Sequence, residues 1–124
     1  MNAAEVGKLL GLMALADNRK APEDANARAA LIAFWLKMVG DLTYPDCAQA
    51  VEDHYRESRD WIMPSDVRRR VGAMHAERLR LNPPPPPPAE LTDDQAAYNR
   101  VLLDSRRAVI EAPYADRKAI GGTS

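Results

Sequence analysis

The stretch LIAFWLKMVGDLTYPDCAQAV, residues 31–51, decides the fold. Leu31, Trp35, Met38, Val39 and Leu42 recur at the three- and four-residue spacing of one helical face, and Ile32 and Phe34 widen it. Gly40 falls where a helix stops. Thr43-Tyr44-Pro45-Asp46 then starts the next one. Thr43 or Tyr44 is the cap, Pro45 sits in the first turn, where its missing N–H costs nothing, and Asp46 complements the helix dipole. Tyr44, Cys47, Ala48, Val51 and Tyr55 share a face of this second helix. A glycine stop and a proline start between two helical stripes, with no strand-like alternation anywhere in the chain, predict an all-α protein. The first of the two helices is the most hydrophobic stretch and is expected to form the centre of the core.

Working towards the N-terminus, Asn2-Ala-Ala-Glu5 has the spacing of a capping box. Val6, Leu9, Leu10 and Met13 follow as one stripe, which Asp17-Asn18 ends. Pro22 suits the first turn of the helix that carries Trp35. Towards the C-terminus, Arg59-Asp60 leads into a short extended link through Trp61-Ile62-Met63. Pro64-Ser65-Asp66 opens a fourth helix, with Val67, Val71, Met74 and Leu79 turned inward. Asn82 meets Pro83–Pro88, a run that adopts polyproline II and cannot continue a helix. Beyond it, Thr92-Asp-Asp-Gln95 reads as another capping box. The fifth helix is expected to run to about Ala112, where Pro113 stops it, with Tyr98, Val101, Leu102, Ser105 and Val109 on one side. Ile120 to Ser124 is expected to be disordered. The expected organisation is a small four-helix domain over 1–82, a polyproline linker over 83–88, and a tail over 89–124 that is a single amphipathic helix or disordered.

A chain of 124 residues leaves room for one modest core, so partner binding or oligomerisation is expected. The net charge of −1 argues against a general nucleic-acid binder. The charge is uneven: residues 1–60 hold seven Lys/Arg against ten Asp/Glu, whereas residues 61–82 hold five Arg against Asp66 and Glu77. The single cysteine, Cys47, excludes an intramolecular disulfide and a cysteine-cluster metal site. The N-terminus has no basic-then-apolar targeting pattern, and no apolar run approaches the length of a membrane span. The expected compartment is the cytoplasm, with no membrane contact.

No constellation of reactive residues stands out. Cys47 and His54 could share a helix face, but two soft ligands without a third or fourth do not make a zinc site. Cys47 lacks a base and an orienting group, and reads as a small buried hydrophobe. Glu52-Asp53 and Asp93-Asp94 are sequence neighbours, which point apart on a helix. Gly7 and Gly11 lie inside the first helix with no Gly-Lys-Ser/Thr after them, so there is no phosphate loop. The expectation is a non-enzyme without cofactor or metal.

Two surfaces carry more information. Arg68, Arg69 and Arg70 lie near the start of the fourth helix, preceded by a helix and a link, loosely the layout of a helix-turn-helix. With Arg78 and Arg80 they are candidates for DNA contact, to phosphates or guanine edges. The link from Ser58 to Pro64 is longer than the usual turn and lacks glycine. Glu52, Asp53, Glu57 and Asp60 are close enough in sequence to pair with these arginines instead. The proline run reads either as a ligand for an aromatic groove or as a stiff spacer of roughly 18 Å, at ~3.1 Å per residue. An amphipathic segment follows it, which favours the spacer, with the tail folding on a partner.

One group of residues carries a resemblance. Trp35, Asp41-Leu-Thr-Tyr-Pro-Asp46, Ala50-Val51, His54-Tyr55 and Trp61-Ile-Met-Pro-Ser-Asp-Val67, in that order, are similar to phage replicative-helicase loader proteins. These are the small loader-and-inhibitor proteins that bring a hexameric helicase to a replication origin. The resemblance covers roughly residues 5–72 and the folded-then-flexible layout. The six prolines and Arg68-Arg69-Arg70 lie outside the family's pattern. It implies a helical N-terminal domain, a replicative helicase as partner, engagement through the C-terminal segment, and no catalytic residues. By position after the linker, Tyr98, Val101, Leu102, Arg106, Arg107 and Val109 become the candidates for helicase contact.

Overall fold

The computed structural model describes residues 1–17 and 22–112. These form five α-helices and one short 3-10 turn, with no strand among the described residues: α1 (Ala3–Ala16), α2 (Ala25–Val39), α3 (Tyr44–Glu57), α4 (Pro64–Leu81), the turn Ala89–Leu91, and α5 (Gln95–Ile110).

The helix starts are built from local hydrogen bonds. The Asn2 side chain accepts from the Glu5 backbone N–H at 2.8 Å, and Glu5 accepts in return from the Asn2 N–H at 3.0 Å. That is the expected capping box. Thr43 caps α3 without a side-chain hydrogen bond, and Tyr44 and Pro45 form its first two positions. At α4 the Asp66 side chain reaches back to the Met63 N–H at 2.9 Å, and Pro64 opens the helix. Two starts differ from expectation. Pro22 lies upstream of the first turn of α2; Asp24 is the cap, accepting from Ala27 N–H at 2.9 Å. Asp94, not Thr92, caps α5, because Thr92 turns its hydroxyl to the Ala89 carbonyl at 2.9 Å and closes the preceding 3-10 turn. In both cases a carboxylate next to the first helical residue is the better-placed acceptor. The α1 helix ends at Asp17 as expected. The α5 helix ends at Ile110; Asn18, Pro113 and the segment Ile120–Ser124 lie outside the described residues.

The chain divides into two compact units, residues 1–72 and 73–124, and the division falls at Gly72 inside α4. In the first unit, α1 packs against both α2 and α3. Its core holds Val6, Leu9 and Met13 of α1, Trp35 and Val39 of α2, Cys47, Ala50 and Val51 of α3, Ile62 of the link, and Val67 and Val71 of α4. The centre of the core is therefore α1, not α2. Of the expected α2 stripe only Trp35 and Val39 are buried; Leu31, Ile32 and Leu42 are half-buried, and Phe34 and Met38 are 50% and 40% exposed. The buried face of α3 is also turned from the expected one. Asp46, Ala50 and His54 join Cys47 and Val51 inside, while Tyr44, Ala48 and Tyr55 are half-buried. The link earns its position through Ile62, which is fully buried and whose N–H donates to the Tyr55 hydroxyl at 3.2 Å. Lys8 places its ammonium 5.3 Å from the centre of the Tyr44 ring, a cation–π contact between α1 and α3.

The second unit contains the end of α4, the prolines and α5. Met74 and Leu79 are half-buried. Residues 83–88 belong to no helix, and Pro88 has φ −56 and ψ 144, the polyproline II region. Arg78 donates to the Ile110 carbonyl at 3.0 Å, so a cation of α4 meets the negative end of α5.

Candidate interaction surfaces

The arginines of α4 project at helical spacing from one element, and each meets an acceptor. Arg68 donates to both Asp41 oxygens, at 2.7 and 3.2 Å, and to the Met38 carbonyl at 3.0 Å. That fork joins α4 to the end of α2. It holds the Asp41 carboxyl below its ordinary value, first through the hydrogen bond from Arg68. Arg70 has its side chain 19% exposed and donates to Glu57 of α3 at 3.0 Å. The Glu57 carboxyl is likewise lowered by the Arg70 hydrogen bond. Arg69 pairs with Asp66 at 3.4 Å and Arg80 grips Glu77 through two bonds of 2.5 and 3.0 Å, both one helical turn apart. Arg78 is turned to the α5 terminus as described. Of the four acids of α3 and its link considered as partners, the structure brings Glu57 to Arg70, while Asp53 instead binds Gln49 and Arg56 within its own helix.

The α5 candidates form a stripe. Tyr98, Val101, Leu102, Ser105 and Val109 are half-buried, Arg106 and Arg107 are exposed, and no residue of the helix is fully buried. Leu103, 59% exposed, adds an apolar side chain outside that stripe. Sequence reading missed it because a stripe search discards an isolated apolar residue on the polar side.

The titratable residues of α3 are enclosed. Cys47 is fully buried, and burial, reinforced by the Asp46 charge, pushes its thiol up to about 12. At that value the thiolate, the nucleophilic form, is scarce at neutral pH. His54 is also buried; its Nε2 lies 2.7 Å from the Asp60 carbonyl and therefore carries the proton, while Nδ1 is buried without a hydrogen-bond partner. The ring stands edge-on to Tyr55 at 4.9 Å. Among the described residues no three His, Cys, Asp or Glu side chains come together as a metal-binding group. Between α1 and α2 lies an open, largely apolar groove of about 180 Å³, lined by Gly7, Leu10, Gly11, Ala14, Arg28 and Ile32. The two glycines form its floor on α1. Among the described residues no helix is long and apolar enough to cross a membrane.

No protein family, curated protein or solved structure matches this chain. The functional reading therefore rests on the surfaces themselves and on the sequence resemblance.

Proposed function

We propose that this chain is a phage or prophage DNA-replication accessory protein that binds a hexameric replicative helicase through residues 89–124 and acts by binding rather than by catalysis. The supporting observation is α5. It is a capped, sixteen-residue helix with an apolar stripe and no buried residue. A helix of that length is near the limit of independent stability in water, so it gains most by covering its stripe with a partner. The prolines of residues 83–88 serve as a stiff spacer that carries the helix, and Arg106 and Arg107 add charge next to the stripe. Such a protein works in the cytoplasm, beside the helicase, and requires no cofactor.

The alternative, a helix-turn-helix-like DNA regulator using Arg68, Arg69, Arg70, Arg78 and Arg80, is the weaker reading. Each of those arginines already donates to a carboxylate or a backbone carbonyl, and freeing it for phosphate costs that interaction.

Size-exclusion chromatography with light scattering on a mixture with the host's hexameric helicase tests the proposal. The full chain is expected to co-elute with the hexamer. Leu103→Asp combined with Arg106→Glu and Arg107→Glu is expected to release it without loss of helical circular dichroism. Independent elution of the unaltered protein defeats the proposal. Salt-dependent DNA binding that disappears on Arg68→Ala, Arg69→Ala and Arg70→Ala substitution transfers the function to α4.

A further inference from the structure

The proline run at residues 83–88 has three edges and uses them unequally. Each proline ring fixes φ, and a run of them coils as polyproline II, with about three residues per turn and a rise of ~3.1 Å each. Pro88, at φ −56 and ψ 144, lies in that region. Residues three apart therefore stack on one edge, about 9 Å from each other. The edges are Pro83 with Pro86, Pro84 with Pro87, and Pro85 with Pro88. Burial follows the same period. Pro87 is buried and Pro84 half-buried, whereas Pro83, Pro85, Pro86 and Pro88 are exposed. One edge is turned in and two adjacent edges are left open.

We infer that the two open edges are a docking ligand for a separate protein domain with a shallow groove walled by tryptophan and tyrosine side chains. The run's own chemistry specifies that occupant. Its open surface is made of proline rings, whose C–H bonds pack against the negative faces of aromatic rings. Prolines have no backbone N–H, so the run can accept hydrogen bonds but not donate them. The groove must supply the donors beside its apolar walls, and an indole N–H or a phenol O–H does both. A groove meets two edges of a three-edged rod at once and leaves the third pointing away. Here that third edge is the one the chain covers for itself. The run is also ordered before it binds, so little conformational freedom is lost on docking. Among the described residues no tryptophan or tyrosine is exposed, so a second copy of this chain does not offer such a groove. Docking leaves the length of the run unchanged, so it is compatible with the spacer role, and it rests on neither α5 nor the helicase reading.

Isolated SH3, WW and EVH1 domains, which present aromatic proline grooves, are the probes. Each isotope-labelled domain is titrated with the full chain and followed by nuclear magnetic resonance. At least one is expected to show saturable shifts at its groove with a dissociation constant below about 1 mM. Pro85→Ala with Pro86→Ala removes one ring from each open edge and is expected to weaken that binding about tenfold or more. Pro84→Ala with Pro87→Ala removes the same number of rings from the covered edge and is expected to change it by less than about threefold. Circular dichroism is expected to show the same helical content in both variants. No groove shift from any of the three domains up to about 1 mM, or equal losses from the two double variants, overturns the inference.

Discussion

The two compact units use the same local grammar and very different amounts of burial. In both, a carboxylate or amide one residue ahead of a helix accepts from the N–H of the third helical residue: Asn2 and Asp24 in residues 1–72, Asp94 in residues 73–124. In the first unit these helices go on to enclose a core that runs from Val6 to Val71. In the second, α5 is half-buried along its stripe and fully buried nowhere. A cap is sufficient to begin a helix, but only burial makes the helix indispensable to its neighbours. The difference predicts that the first unit fails cooperatively when its core is damaged and that the second responds only to changes in its own helix.

The largest test of that contrast is Trp35→Ala. Trp35 is 3% exposed, and removing a buried indole is expected to cost ~3–5 kcal/mol. In a small domain that is most of the available stability, and urea unfolding should show the first unit open at low denaturant. Leu103→Ala in α5 is the matched control and is expected to stay within about 0.5 kcal/mol. A mild effect at Trp35 would dissolve the contrast. Next comes Gly40→Ala. A Cβ at Gly40 would stand 2.3 Å from the Leu36 carbonyl oxygen, a backbone atom that cannot swing aside. The expected loss is about 1–3 kcal/mol, read as a lower thermal midpoint.

Asp94→Ala addresses the other unit. Losing the α5 cap is expected to cost about 1 kcal/mol of helix stability. The helical signal of α5 should decline in circular dichroism while the unfolding of the first unit is unchanged. Concerted loss of both would show one cooperative block. Gly72 is an exposed position of α4, and a Cβ there meets nothing within 4 Å. Gly72→Ala is therefore expected to stabilise α4 by about 0.5–1 kcal/mol.

The smallest effect belongs to the Arg68–Asp41 fork, whose side chains are 46% and 64% exposed. An exposed pair of this kind contributes about 0.2–1 kcal/mol. The Arg68 hydrogen bond holds the Asp41 carboxyl below its ordinary value of 3.8 in the folded protein. Its contribution is thus complete above that value and lost as pH falls through the lower, folded one. Asp41→Ala should lower the thermal midpoint slightly at pH 7. The gap to the unaltered protein should close in acid below pH 3.8. A gap that persists there would mean Asp41 acts through packing.

Helix position was legible because its signals are local. Asn2 and Glu5 are three residues apart, Pro45 and Pro64 admit few places in a helix, and six prolines admit none. The two misread starts, Pro22 and Thr92, each had a carboxylate nearby, and only the backbone path showed which acceptor faced the open N–H. Candidate surfaces were legible as residues and not as states. The sequence placed Arg68, Arg69 and Arg70 on one helix, but their partners at Asp41, Asp66 and Glu57 depend on how α2, α3 and α4 meet. Likewise, hydrophobicity pointed to α2 as the core, whereas the packing of α1 against both α2 and α3 made α1 the centre and left Phe34 and Met38 in the open. The sequence by itself determined to within a few residues where helices begin, end and break, because a cap, a proline or a glycine acts within one turn of chain. Only the tertiary structure decided which apolar stripe is enclosed, because burial is shared among helices distant in sequence and no single stripe carries the information about its partner.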